Sequence, residues 1–153
     1  DRWGDTAPTS SVFTVGATGM INGSSDECFA YCFAEVKGFS KMGYYSGTGN
    51  ARGTKVYCGF KPKWIMIKST TTSNDWGGNS SVLTGYGLGG QRTRIFAFNG
   101  DYGQTTATLQ FESNGFRPVS TSTANNQENT KYCYMAFAEM PMVGSNGIIA
   151  LAT

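Results

Sequence analysis

The sequence predicts an all-β chain, folded as an antiparallel β-sandwich of jelly-roll-like character. Three observations predict it. Short runs of alternating or apolar residues recur along the 153 residues. Tight-turn dipeptides (Asn22-Gly23, Asn99-Gly100, Asn114-Gly115 and Asn146-Gly147) punctuate those runs. No stretch keeps apolar residues at helical spacing, because Gly, Ser or Thr breaks each one. Eight or more short strands with polar, Gly-rich turns bury their apolar faces as two packed layers.

The elements follow in order. Residues 1–11 read as an extended N-terminal arm and residues 12–15 as a first short strand. The run 28–36 reads as a long strand, with Phe29, Tyr31 and Phe33 on one face and Ala30, Cys32 and Ala34 on the other. Runs 55–60 and 63–69 come next, separated by Pro62. Runs 94–99, 107–112, 131–140 and 148–152 complete the set. In the run 131–140, Met135, Phe137 and Glu139 share one face, and Ala136 and Ala138 the other. The large face of each strand is expected to fill the core. The small face lets another layer of backbone come close. Glu35 and Glu139 end the large faces, where a carboxylate reaches water or a backbone N–H. The tracts 69–74 and 120–129 are polar, lack a period and read as loops.

Two echoes run through the chain. Tyr31-Cys32-Phe33-Ala34-Glu35 resembles Met135-Ala136-Phe137-Ala138-Glu139, and Gly59-Phe60-Lys61-Pro62 resembles Gly115-Phe116-Arg117-Pro118. Their order is mirrored, whereas a tandem duplication would preserve it. They are therefore recurring strand-and-turn chemistry. Residues 1–153 read as one domain, long enough to bury a core.

Composition narrows the function. Hydrophobic residues make up 39% and charged residues only 14%, so Ser, Thr, Asn and the 21 glycines must solvate much of the surface. There is no histidine, which removes Ser-His-Asp and Cys-His catalysis and the commonest zinc ligand. The net charge of +2 is too small and scattered for a nucleic-acid footprint. No run approaches the roughly 20 apolar residues of a membrane helix. The chain begins at Asp1 rather than Met, as a processed product or a segment of a longer chain would, and its first residues are too polar for a signal peptide. No nucleic-acid partner, membrane insertion, metal or cofactor is expected.

Cys28 and Cys32, four apart in a strand, would sit ~13 Å from each other, beyond disulfide reach. A bridge from either to Cys58 or Cys133 stays open. The simpler reading makes all four small buried apolar residues.

Several constellations were weighed for chemistry. Gly85-Tyr86-Gly87-Leu88-Gly89-Gly90 has the form of a dinucleotide fingerprint, but a strand-like run follows it instead of a helix. Asn74, Asp75, Trp76 and Asn79 combine an aromatic plate with hydrogen-bonding side chains on one loop, the parts of a sugar site. Tyr86, Asp101 and Tyr102 lie on nearby loops and join that candidate glycan site. The competing reading is a turn with Trp76 packed down on the core. Asn74, Asp75 and Asp101 also offer oxygen ligands for calcium, without the spacing of a calcium loop. Asp26, Glu27, Glu35, Asp75, Asp101, Glu112, Glu128 and Glu139 supply carboxylates, but no spacing selects a glycosidase pair, so no catalytic residue is assigned. Asn22-Gly23-Ser24 and Asn79-Ser80-Ser81 are glycosylation sequons of a kind that chance produces in such a composition. Lys37, Lys41, Arg52, Lys55, Lys61 and Lys63 form a mildly basic stretch, read as Lys-guarded strand edges or as a surface for an acidic glycan.

Three segments together resemble an uncharacterised domain widespread in marine tailed bacteriophages. The first runs from Asp5-Thr6-Ala7-Pro8 to Phe13-Thr14-Val15-Gly16. The second runs from Tyr31-Cys32-Phe33-Ala34-Glu35 through Tyr45-Ser46-Gly47-Thr48-Gly49-Asn50 to Val56-Tyr57-Cys58-Gly59-Phe60-Lys61-Pro62-Lys63-Trp64-Ile65-Met66-Ile67-Lys68. The third is Asn114-Gly115-Phe116-Arg117-Pro118 with Tyr134-Met135-Ala136-Phe137-Ala138-Glu139. Residues 72–108, which hold the candidate glycan loops, match poorly. Such domains occur in tail-fibre-like virion chains, often beside a concanavalin-like lectin module. The resemblance implies a virion structural protein, assembled in the bacterial cytoplasm, with fibre building or host adhesion as its role. It supplies no catalytic or binding residues. Implied partners are further copies of the chain (trimers are common in phage fibres), other virion proteins and a host surface glycan. A capsid-decorating or filament-forming subunit without ligand is the alternative, and a polysaccharide-degrading enzyme a more distant one. The thiols fit assembly in a reducing cytoplasm.

Overall fold

The computed structural model describes residues 4–17, 19–23, 27–74, 76–81, 92–97 and 105–140. The chain divides into two compact units, Asp1–Phe33 and Ala34–Thr153.

The first unit holds a one-turn helix, α1 (Gly19–Asn22), and irregular chain. Thr9 folds the backbone locally: its Oγ1 accepts the N–H groups of Ser11 and Val12, and its own N–H donates to the Val12 carbonyl. That turn engages the N–H and the carbonyl of Val12, and residues 12–15 form no strand, contrary to expectation. Residues 28–35 form none either, although they alternate as a strand should. Their large side chains lie in the open: Phe29 is 89% exposed and Tyr31 86%. Alternation makes a strand only where a neighbouring backbone supplies the ladder.

The second unit is all-β. Its strands are β1 (Ser40–Ser46), β2 (Val56–Tyr57), β3 (Pro62–Ser69), β4 (Gly77–Ser80), β5 (Arg92–Ala97), β6 (Thr105–Glu112), β7 (Gly115–Pro118) and β8 (Lys131–Ala138). They form one sheet in the order β1-β8-β3-β4-β5-β6-β7-β2, with every pairing antiparallel. The sheet curls on itself. Tyr45 of β1 and Tyr134 of β8 meet Phe116 of β7 edge to face, with ring centroids 5.8 and 5.2 Å apart. The two ends of the sheet therefore form the facing layers of a sandwich, with Ile65, Ile67, Leu109 and Phe111 also in the core.

The face of β8 is the reverse of the one expected. Tyr132, Tyr134, Ala136 and Ala138 are buried, while Met135 and Phe137 are half-buried on the outer side. The two tyrosines set the parity. Ala136 lies beside Ile65, and Gly43 opposite Tyr134 leaves room for its ring. Outside, Phe137 packs against Phe39 and Trp64, with centroids 5.8 and 5.7 Å away.

The β6–β7 hairpin turns through Ser113 and Asn114, because Glu112 pairs with Gly115. Gly115 is required for a steric reason: a Cβ there would stand 1.9 Å from the Val56 carbonyl oxygen. The tract 120–129 is a loop, as its composition predicts, but a tied one. Buried Asn126 donates to the carbonyls of Asn50 and Ser120, both at 2.7 Å, and accepts the Thr48 N–H. The Tyr45 hydroxyl donates to the Asn125 carbonyl and the Tyr132 hydroxyl to that of Thr123. These bonds satisfy tyrosine hydroxyls that burial would otherwise strand.

Candidate functional site

The candidate glycan loop lies between β3 and β4. Ser69 at the end of β3 starts it, accepting the N–H groups of Thr71 and Thr72 on its Oγ. Lys68 then ties it from inside, its ammonium donating to the carbonyls of Thr72 and Asn74. Asn74 holds the far end, its Nδ2 donating to Thr72 Oγ1 at 3.0 Å and to the Thr123 carbonyl at 2.8 Å. Trp76 follows and is 40% exposed.

Of the predicted ligand set, Asn74 and Trp76 thus stand on one fixed loop. Asn79 does not join them. It lies in β4, pairs in register with Ile65 and Ile95, and is 1% exposed. A side chain buried in the sheet cannot meet a sugar hydroxyl, and the sequon at Asn79 is closed to glycosylation for the same reason. Asp75, Tyr86, Asp101 and Tyr102 lie outside the described residues, as does the glycine-rich run 85–90.

Three of the named carboxylates, Glu35, Glu112 and Glu139, are engaged in ion pairs. Glu112 meets Lys55 at 2.7 Å and the Arg117 Nε at 3.0 Å, and its pKa is lowered by the Lys55 hydrogen bond first, then by Arg117. Glu139 pairs with Lys61 at 2.6 Å and Lys63 at 3.7 Å, and the Lys61 hydrogen bond lowers its pKa. Glu35 accepts from Lys41 at 2.8 Å and from the Met42 N–H at 3.1 Å, which lower its pKa in that order. The expectation that Glu35 meets a backbone N–H is met. These groups are held ionised, the opposite of what a general acid needs. The same pairs engage four cations of the basic stretch, Lys41, Lys55, Lys61 and Lys63, the last two sharing the single charge of Glu139.

The cysteines divide by environment. Cys58 is buried, and desolvation pushes its thiol pKa up to about 12. Cys133 is half-buried, and its thiol lies 3.5 Å from the Lys68 carbonyl. Cys28 and Cys32 are exposed, which corrects the reading of four buried thiols: the strand meant to bury them does not form. All four are free, so none of the bridges left open is made. Among the described residues no cluster of three or more Cys, Asp or Glu is placed to hold a metal ion. Among the described residues no helix is long and apolar enough to cross a membrane.

One surface escaped the sequence reading. Phe29, Tyr31, Phe33 and Val36 are exposed in succession, at 89, 86, 57 and 41%. Val12 and Phe13, 62 and 43% exposed, belong with the three aromatics to the unit Asp1–Phe33, and Val36 to the other. Their alternation is visible in the sequence, but it was assigned to a core. Clustered exposed aromatics are characteristic of an interaction surface.

No curated protein and no solved structure matches the chain. A family model described as a domain of unknown function, DUF7483, matches residues 1–141, nearly the whole length. The chain belongs to the DUF7483 family.

Proposed function

We propose that this chain is a non-catalytic structural module of a tailed-phage particle, self-associating and tail-fibre-like, with a role in adhesion to host surface glycans. The observation that carries the reading is the exposed row Phe29, Tyr31 and Phe33, at 89, 86 and 57%. An apolar row of that kind is costly in water and is covered when copies assemble. The non-catalytic part draws support from Glu35, Glu112 and Glu139, each neutralised by a lysine or arginine. The phage setting draws support from the sequence resemblance, and the low-charge, Ser/Thr/Asn/Gly-rich surface suits an extracellular particle.

Adhesion is supported by Trp76, whose exposed ring stands on a loop pinned through Lys68 and Asn74. A fixed aromatic plate loses little entropy on stacking against a sugar. The test measures binding of the purified protein to host cells and their extracted glycans, beside Trp76→Ala. Saturable binding that falls at least tenfold in the variant supports the adhesion role. Equal binding by both proteins removes Trp76 from the site. No binding by a folded, assembled sample leaves a capsid-decorating or filament-forming subunit, with affinity residing in another protein of the particle.

A further inference from the structure

The β1 edge of the sheet is the other half of the exposed aromatic row. β8 covers one side of β1, and no strand among the described residues covers the other. Bonding directions along β1 follow from its ends. The Phe39 carbonyl and the Gly47 N–H face β8 and the segment before it, whereas the N–H groups of Ser40 and Met42 face outward. Alternation carries the outward direction to Tyr44 and Ser46.

A hairpin begins at this edge and stops. Val36 and Ser40 form a single bridge around a turn in which Gly38 has φ 73°. The next rung would join Ala34 to Met42. Two side chains take its place: the Ser40 Oγ donates to the Ala34 carbonyl at 2.7 Å, and the Glu35 carboxylate accepts the Met42 N–H at 3.1 Å. The chain's own ladder is thus capped after one rung, at the point where its two compact units divide.

The segment and the edge remain complementary in register. Continuing the Val36–Ser40 pairing sets Phe33 against Gly43, Cys32 against Tyr44, Tyr31 against Tyr45 and Phe29 against Gly47. Two of the three large residues then fall opposite glycines. All three lie on the face that buries Tyr45, and Ala30, Cys32 and Ala34 lie on the outer face. Neither residues 28–34 nor residues 42–46 contain a charge; Lys41 at the start of β1 is paired with Glu35, and the Lys131 ammonium of β8 lies over the Tyr44 ring at 4.5 Å.

We propose that residues 28–34 of one copy add as a strand to the β1 edge of a second copy, and that the exchange is reciprocal. This deepens the self-associating reading above and rests on it. Each copy offers one strand and one edge, and it is the reciprocity of the exchange that closes the assembly as a two-fold pair. Tyr44 N–H then donates to the carbonyl of Cys32 of the second copy, and Ser46 N–H to that of Ala30. Three aromatics bury roughly 450–750 Å² per strand. The reciprocal pair therefore buries about 900–1,500 Å² before backbone is counted, overlapping the range of stable interfaces, roughly 1,200–2,000 Å².

The test uses the whole chain with Tyr44→Cys and Cys28→Ser, leaving Cys32 as the designed thiol partner. Tyr44 is 64% exposed, so the change leaves the fold intact. Tyr57→Cys, equally exposed on the opposite edge strand, is the control. Under mild oxidation a covalent dimer joined from Cys32 to position 44 is expected to form at least tenfold faster than in the control. Adding Cys32→Ser should abolish it. A loop closed within one chain would overturn the exchange, because the edge is then filled by its own segment. Absence of the cross-link in a sample that light scattering shows to be oligomeric would overturn the exchange and leave self-association standing. A monomer at high concentration would overturn both.

Discussion

Single residues in this molecule act mainly as ties. Glu112 joins Lys55 of the segment before β2 to Arg117 of β7, and the Arg117 Nη1 also donates to the Gly53 carbonyl at 2.9 Å. Its pKa is lowered in the folded state, so its stabilisation is complete above the ordinary carboxylate value of 4.5 and is lost as pH falls through the lowered one. Glu35 and Glu139 carry the same sign. Urea unfolding followed from pH 7 down to pH 3 should show stability declining below about pH 4.5, and Glu112→Gln should flatten that decline. An unchanged acid arm would show that the triad contributes nothing. The thiols give a second expectation. Alkylation at pH 8 should modify Cys28 and Cys32 in the folded protein, while Cys58, with its pKa near 12, reacts only after unfolding. Mass mapping of labelled peptides decides it. Little of this was legible in the sequence. Residue type announced Trp76 as a plate, but nothing local distinguishes Asn74 on the loop from Asn79 inside β4, since only the ladder buries the second.

At the scale of elements, legibility followed hydrophobic contrast. β3, β6 and β8 are apolar enough to be read directly, and their bounds fall close to the expected ones. β4 is Gly-Gly-Asn-Ser and carries no apolar residue, so it read as part of a loop. It is a strand because β3 and β5 pair with it on both sides. The run 28–36 failed in the opposite direction: it has every local property of a strand, and its pairing stops at the single Val36–Ser40 bridge. β2 is the element most dependent on one contact. Its two residues pair only with β7, and Gly115 lets the Val56 carbonyl approach. Gly115→Ala forces those backbones apart and should destabilise the protein by about 1–3 kcal/mol. Amide exchange at Val56 and Tyr57 should accelerate first, ahead of the β8 core. Uniform acceleration across the sheet would mean that β2 is not a separable edge.

For the whole molecule, the buried core and the exposed apolar row fall in different units. The core residues Tyr45 to Ala136 all belong to the unit that begins at Ala34, whereas the apolar row is centred on Phe29, Tyr31 and Phe33. Replacing Phe29 and Tyr31 together by Ser therefore removes apolar surface without opening a cavity in the sandwich. Measured where the protein is monomeric, the unfolding free energy should change by less than about 0.5 kcal/mol, as for other exposed positions. Self-association should be lost under the same conditions, since truncating central aromatic anchors typically costs an interface about 2 kcal/mol or more each. Sedimentation across a concentration series reads the second quantity, and denaturant unfolding of dilute protein reads the first. Loss of both together would place the row inside its own sandwich and remove the basis for an intermolecular role. Loss of association alone makes residues 28–34 a joining element, its own pairing with β1 capped by the Ser40 and Glu35 side chains.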